Sequence, residues 1–176
     1  MGISDGYRSE GVGKFYENHS QEYANPHALY VEQCLNFCSF QSGESILDLG
    51  CGDGLITKIL KQRGPYYLTG LDKYMAQRYR DETGFLCYEA SFEDVAMKGL
   101  PTDEHFDTVI CSYMVDIIPE SYRHNFFWNV AAQTNRLVVI RPNSHLLDFP
   151  FLELEYRKKV GKAKMTIYRS KLCETK

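Results

Sequence analysis

Residues Ser45–Leu49 run without a break into Gly50-Cys51-Gly52-Asp53-Gly54, giving the string SILDLGCGDG. A short apolar strand that carries an acid near its end and passes straight into three alternating glycines leaves few folds open. Glycine admits positive φ and lets a ligand approach with no Cβ in its way. A buried strand turning over glycines onto a helix start is a nucleotide-type binding device, because the first turn of a helix offers unbonded N–H groups. The spacing is G-x-G-x-G, and Leu55 stands where the dinucleotide fingerprint wants its third glycine. No G-K-[ST] follows, which excludes a phosphate-cradling P-loop.

Strand-like and helix-like segments alternate along the rest of the chain, which predicts βαβ units on a parallel sheet. Residues 7–24 read as a loose helix ahead of the core. Asn25-Pro26 gives an N-cap with proline at the first helical position. The helix after it carries Leu29, Val31, Cys34, Leu35 and Cys38 on one side. Strand one is Ser45–Leu49, and the helix beyond the glycines turns Leu55, Ile56, Ile59 and Leu60 inward until Arg63-Gly64-Pro65 stops it. Further strands are expected at Tyr66–Leu71, Phe85–Glu89, Phe106–Cys111 and Arg136–Ile140, with a helix over Ser121–Val130. In the last thirty residues (by the numbering of the chain) the period changes to two. Leu152, Leu154, Tyr156 and Val160 alternate with charged residues, then Ala163, Met165 and Ile167 resume the pattern after Gly161-Lys162. Glycine first in a two-residue loop suits a type II′ turn, so an antiparallel hairpin should close the sheet.

A chain of 176 residues is expected to form one domain, 1–176, large enough for a real core. Its apolar share of 44% and charged share of 24% are those of an ordinary globular protein. The net charge of −3 gives no overall attraction to nucleic acid. Six cysteines, with no C-x-x-C pair, read as buried free thiols in a reducing compartment, and no metal is expected. The N-terminus lacks an apolar signal core and no run approaches membrane-spanning length, so the expectation is a cytoplasmic protein.

The string SILDLGCGDG closely resembles motif I of the class I S-adenosylmethionine (SAM)-dependent methyltransferases. The resemblance covers about residues 15–171. It implies an α/β fold with a doubly wound, mostly parallel seven-stranded sheet, Rossmann-like, ending in an antiparallel β-hairpin. It also implies an N-terminal lid and helices within 1–40, a core over 45–171, and SAM as cofactor. The glycine loop, Gly50, Cys51 and Gly52, can approach the methionine and ribose portions, and its N–H groups can meet the carboxylate. In the family, an acid placed like Asp48 helps fix the methionine ammonium. Asp72, at the end of strand two, is placed to accept hydrogen bonds from both ribose hydroxyls, with Lys73 packing beside the adenine. Ser91 stands where the family has an acid that meets the adenine amino group, and Phe92 beside it is placed to stack. Cys111 ends strand four beneath the transferring methyl group. Tyr16 and Tyr23 resemble lid tyrosines that close over the sulfonium, a cation that an aromatic face attracts.

Methyl transfer is an in-line displacement in which the enzyme mainly positions the nucleophile. The expected acceptor is a small molecule. Asp116, His27 and His145 are the candidate bases. Asp116 lies among Met114, Val115, Ile117 and Ile118, where an acid is paired or functional, or else caps the helix near Pro119. Neither the Asn/Asp-Pro-Pro-Tyr motif of amino-methyltransferases nor a Pro-Cys nucleophile is present, which speaks against DNA as the acceptor. Seven cations between Arg157 and Lys171 make the hairpin positive, so RNA or protein stands as an alternative acceptor. A non-catalytic SAM-binding partner subunit is the other alternative, and it rests on the departure at Ser91.

Overall fold

In a computed structural model, which describes Gly11, Lys14 and residues 27–173, the described strands form one seven-stranded sheet. The elements are α1 Ala28–Leu35, β1 Ser45–Leu49, α2 Leu55–Lys61, β2 Tyr67–Leu71, α3 Ala76–Thr83, β3 Cys87–Tyr88 and α4 Phe92–Lys98. After them come β4 Phe106–Ser112, α5 Glu120–Ala131, β5 Thr134–Arg141, β6 Leu152–Val160 and β7 Ala163–Ser170. A single 3-10 turn over Val115–Ile117 joins β4 to α5. The strand order is β3-β2-β1-β4-β5-β7-β6. The first five strands are parallel, and β7 and β6 pair antiparallel as the expected hairpin. Order reverses between β1 and β4, and ligands of open α/β sheets bind at the carboxyl ends of the strands beside such a switch.

Strand alternation divides the core. Leu47, Leu49, Val109, Cys111, Leu137 and Val139 turn to one face, where Val95 of α4 and Phe126, Phe127 and Val130 of α5 cover them. Ile46, Ile110, Val138, Ile140 and Met165 turn to the other, beneath Val31, Cys34 and Leu35 of α1 and Ile56 and Leu60 of α2. Each buried side chain of this size contributes about 1.5–3 kcal/mol by leaving water.

Several expectations need correction. The helix that follows residue 26 starts at Ala28 with His27 as its N-cap residue, whose side chain makes no cap bond, while Asn25 and Pro26 lie outside the described residues. Leu29 is 63% exposed, and Cys38 lies past the end of α1. Strand two begins at Tyr67, and β3 shrinks to the two residues that find partners on β2. By contrast β4 and β5 extend to Ser112 and Arg141. Helix α3 has no apolar stripe to announce it and is held by Ala76, Tyr79 and Thr83. The alternation in β6 does not bury its apolar set: Leu154 and Tyr156 are 44% and 40% exposed because β6 is the sheet edge. A register irregularity between Leu154 and Tyr156 bends that edge, a common guard against strand-on-strand association. Gly161 has φ +56, as the tight turn requires.

Candidate active site

The glycine turn is a left-handed staircase. Gly50, Gly52 and Gly54 have φ of +72, +53 and +84, a region that costs an L-residue about 1–2 kcal/mol. A Cβ on Gly54 would lie 2.5 Å from Thr83 Cγ2 and 3.0 Å from the Tyr79 ring. Four amides of the turn are already bonded within the protein. Gly50 N and Cys51 N donate to Leu71 O, Gly54 N donates to Cys51 O, and Gly52 N donates to the Asp72 carboxylate at 3.1 Å. The loop therefore presents bare Cα atoms to a ligand. Those bonds compete with the expected approach of a ligand carboxylate to the same N–H groups.

Two acids flank the turn. Asp48, on β1, is 3% exposed and accepts a hydrogen bond from Thr57 Oγ1 at 3.1 Å. Thr57 in turn lies 2.8 Å from Tyr79 Oη. With the threonine proton directed to the carboxylate, the tyrosine is the donor in that second bond. Burial pushes the Asp48 carboxyl up to about 8, against the opposing pull of the Thr57 bonds. Asp72 is half-buried at the end of β2. One oxygen accepts from Gly52 N, and the other accepts from Tyr74 N at 2.9 Å and Met75 N at 3.0 Å. Burial raises this carboxyl too, and those three backbone bonds oppose the rise. Asp72 thus faces the turn while bracing the entry to α3. Lys73 beside it is exposed.

Ser91 and Phe92 open α4. The Ser91 hydroxyl accepts from Asp94 N at 3.0 Å and donates to the Asp94 carboxylate at 2.8 Å, a complete capping box. Its hydrogen-bonding capacity is largely taken by the cap. Phe92 packs edge-on to Phe126, with centroids 6.0 Å apart. Cys111 is fully buried between Leu49 and Val139 in register, and burial raises its thiol far above the usual range. Cys51 Sγ lies 3.6 Å from Cys87 Sγ, and both thiols are free.

On the acceptor side the structure assembles two clusters. His27 stacks flat on Tyr113, with centroids 3.9 Å apart and planes within 2°. Burial lowers the His27 pKa, so the ring is neutral at pH 7. Tyr113 is the only non-glycine residue at positive φ (+54) among the described residues, a strained conformation of the kind found at functional sites. The second cluster centres on Asp116. Its carboxylate receives both the Nη2 and Nε of Arg141, the latter at 3.3 Å, and Asn143 Nδ2 at 3.0 Å. Arg141 also donates to His145 O at 3.0 Å. His145 itself is exposed on the loop after β5. Asp116 is therefore paired and does not cap α5, which begins after Pro119 with no side-chain cap. Tyr16 and Tyr23 lie outside the described residues.

The sequence reading missed three residues, Thr57, Tyr79 and Arg141. Thr57 and Tyr79 carry no local signal, because their link to Asp48 spans three elements. Arg141 follows a strand as an ordinary terminal arginine, and only the tertiary fold brings Asp116 to it. Ser112 Oγ is buried with no hydrogen-bond partner among the described residues. By alternation Ser112 faces the same side as Asp48, one residue pair further toward the carboxyl edge, since Asp48 pairs with Ile110. A buried acid, an orphaned hydroxyl and bare glycine Cα atoms on one edge fit a ligand that brings its own cation and polar groups.

The Asp116 cluster ties the loop after β4 to the loop after β5. Replacing Asp116 by Asn removes the charge facing Arg141, which is 5% exposed. Because the acid is 40% exposed, the loss is discounted to about 1–2 kcal/mol. Thermal denaturation of Asp116→Asn should show Tm lower by about 3–6 °C. A pure cap would tolerate asparagine without loss.

Comparison with known proteins agrees with this geometry. Residues 46–135, just over half the chain, match the family described as methyltransferase domain. The ubiquinone biosynthesis O-methyltransferase of Pseudomonas entomophila (strain L48) is 29% identical over 86 residues, 45% of this chain and 35% of that enzyme. The chain thus spans about a third of the length of that relative. An uncharacterized protein of Schizosaccharomyces pombe is 25% identical over 185 aligned positions, covering 80% of this chain and 74% of that protein. The crystal structure of a TehB-like SAM-dependent methyltransferase from Corynebacterium glutamicum superposes with a TM-score of 0.64 at 16% identity, over 93% of this chain and 98% of the other. At that identity the likeness is one of fold. The matched residues include the glycine turn and both flanking acids, Asp48 and Asp72: the chain belongs to the methyltransferase domain family.

Proposed function

We propose that this protein transfers the methyl group of SAM to a small-molecule acceptor. The observation that carries the reading is the buried Asp48 carboxyl beside a turn of three left-handed glycines at the carboxyl edge of β1. Bound SAM supplies a methyl group already activated on a sulfonium. Under this reading Asp48, supported by Thr57 and Tyr79, holds the methionine ammonium, and Asp72 accepts from the ribose hydroxyls. Gly50, Cys51 and Gly52 let the cofactor lie against the backbone. Phe92 and Lys73 flank the adenine, while Ser91 acts through the helix cap. Cys111 ends β4 beneath the transferring methyl group, and Tyr16 and Tyr23 supply the lid.

The protein's share of the rate is then orientation and exclusion of water. The His27–Tyr113 stack forms one wall of the acceptor site, and His27, neutral at pH 7, is the candidate to take a proton from a hydroxyl or amine acceptor. Asp116 engages Arg141 and Asn143 with both oxygens, which makes it a positioning residue. His145 lies in that cluster through its backbone. The likeness to an O-methyltransferase of ubiquinone biosynthesis supports a small acceptor. The test is calorimetry with SAM followed by a labelled-methyl screen of fractionated cell extract. Label entering a low-mass compound is the expected result.

Asp72→Ala should weaken SAM by roughly 1–3 kcal/mol, through loss of charge-assisted bonds to the ribose. The parent should show no affinity for NADH or NADPH. Tight nicotinamide binding would contradict the cofactor assignment.

A further inference from the structure

Two of the hairpin cations fall into one row with a cation of β5. In the antiparallel registers Arg141 on β5 pairs with Lys164 on β7, and Lys164 pairs with Lys159 on β6. Residues directly opposite in antiparallel strands share a face, so three cations stand side by side across three strands. Like charges so placed repel, and a sequence free to vary would interleave them with acids. It does so at the root of the same hairpin, where Arg169 pairs with Glu153 and Glu155. In the row itself only Arg141 has a carboxylate, Asp116. Neither Lys159 nor Lys164 has an acidic partner among the described residues. The repulsion is left in place.

Nor is the row remote from the site. Arg141 is the last residue of β5 and Lys164 the second of β7, which puts the row at the carboxyl edge where the glycine turn and the post-β4 loop lie. Two cations are held in position: Lys164 Nζ donates to Pro142 O at 2.7 Å, and Arg157, one turn of the pleat away from Lys159, donates to Ser144 O at 2.9 Å. Both carbonyls belong to the loop after β5, which borders the acceptor side. The sheet supplies a ruler. With strands ~4.8 Å apart, β7 stands about 10 Å and β6 about 15 Å from Cys111 on β4, which pairs with Val139 and so shares the face of Arg141.

Building on the methyl-transfer reading, we propose that Lys159 and Lys164, with Arg141 behind them, form a subsite for an anionic group of the methyl acceptor. That group is a carboxylate or a phosphate, carried about 10–15 Å from the atom that receives the methyl group. Asp116 keeps Arg141 fixed without neutralising the two lysines. The subsite selects a rod-like small molecule with a polar nucleophile at one end and an anion at the other.

The proposal is tested on the intact protein by NMR titration with inorganic phosphate and with benzoate, against sodium chloride and benzamide at matched ionic strength. Phosphate and benzoate should shift the amides of residues 143–145 and 158–164 in a saturable way, and the two controls should not. In Lys159→Gln/Lys164→Gln these shifts should vanish while Tm stays level or rises, because a repulsion has been removed. Equal shifts in chloride, or shifts retained in the double variant, overturn the subsite. In the labelled-methyl screen, the accepting compound should be retained by an anion exchanger. With that compound the double variant should raise KM about tenfold, leave kcat within about twofold, and recover in Lys159→Arg/Lys164→Arg. An accepting fraction that passes through the exchanger, or one destroyed by ribonuclease with steep salt dependence, overturns the proposal in favour of a neutral or an RNA acceptor. Phosphatase sensitivity separates the phosphate source from the carboxylate. SAM affinity of the double variant should equal that of the parent. A parent that takes up phosphate at the row but not SAM would sink the methyl-transfer reading separately.

Discussion

Asp48→Asn should weaken SAM at least about thirtyfold at pH 7.5 and at the same time raise the thermal stability of the free protein. Both effects come from one fact: the carboxyl is 3% exposed, and burial lifts its pKa to about 8. Its ordinary value is about 3.9, so between roughly pH 4 and 8 the folded state holds a proton that the unfolded state has released. Stability contributed this way is complete below the unfolded value and is lost as pH rises through the folded one. Asparagine keeps an acceptor for Thr57 and carries no charge, so its advantage grows toward pH 8, where Tm should rise by about 2–6 °C. A cation placed against Asp48 reverses the balance by favouring the carboxylate. SAM should therefore bind about 10–30-fold more tightly at pH 7.5 than at pH 6.0, with proton release detectable by calorimetry in buffers of different ionisation enthalpy. Above about pH 8 the gain stops, because the amine of the ligand loses its own proton. The variant should show a flat profile. A parent profile without slope would remove Asp48 from the site.

Gly54→Ala should cost about 3 kcal/mol, the second of the two large effects. The new methyl meets Thr83 Cγ2 at 2.5 Å and the Tyr79 ring at 3.0 Å, and the backbone is held at φ +84. Left-handed strain contributes about 1–2 kcal/mol and overpacking about 1–3. Denaturant unfolding should show the midpoint lowered at unchanged m-value. Because Tyr79 also supports Thr57, and Thr57 supports Asp48, the variant should bind SAM more weakly even below its melting temperature. A stability equal to the parent would mean that the staircase relaxes without strain.

Much of this fold was legible because its signals are local. The strand Ser45–Leu49 is bounded by chemistry on both sides, a polar turn before it and glycines after it, and its ends agree to the residue. The Gly161-Lys162 turn likewise announces its hairpin. Helix α3 was not legible: AQRYRDET has no apolar stripe, and only Tyr79, buried against the glycine turn, shows why it forms. Strand β6 alternates as expected, yet alternation does not say whether a strand lies at the edge, and here it does. At the site, Asp48 and Asp72 stand out by their position at strand ends. The Asp116–Arg141 pair and the Arg141–Lys164–Lys159 row do not, because each depends on a register between strands distant in sequence. Serine and aspartate three apart, Ser91 and Asp94, form a capping box that the sequence displays, and it competes with the ligand role expected of Ser91.

The most direct measurement is calorimetric titration of the intact protein with SAM, with S-adenosylhomocysteine, and with NADH. Saturable binding of both adenosyl ligands in the micromolar range, weakened at least about thirtyfold in Asp48→Asn and absent for NADH, is the result expected of a glycine turn flanked by Asp48 and Asp72. Tight binding of NADH with no heat from either adenosyl ligand would contradict it.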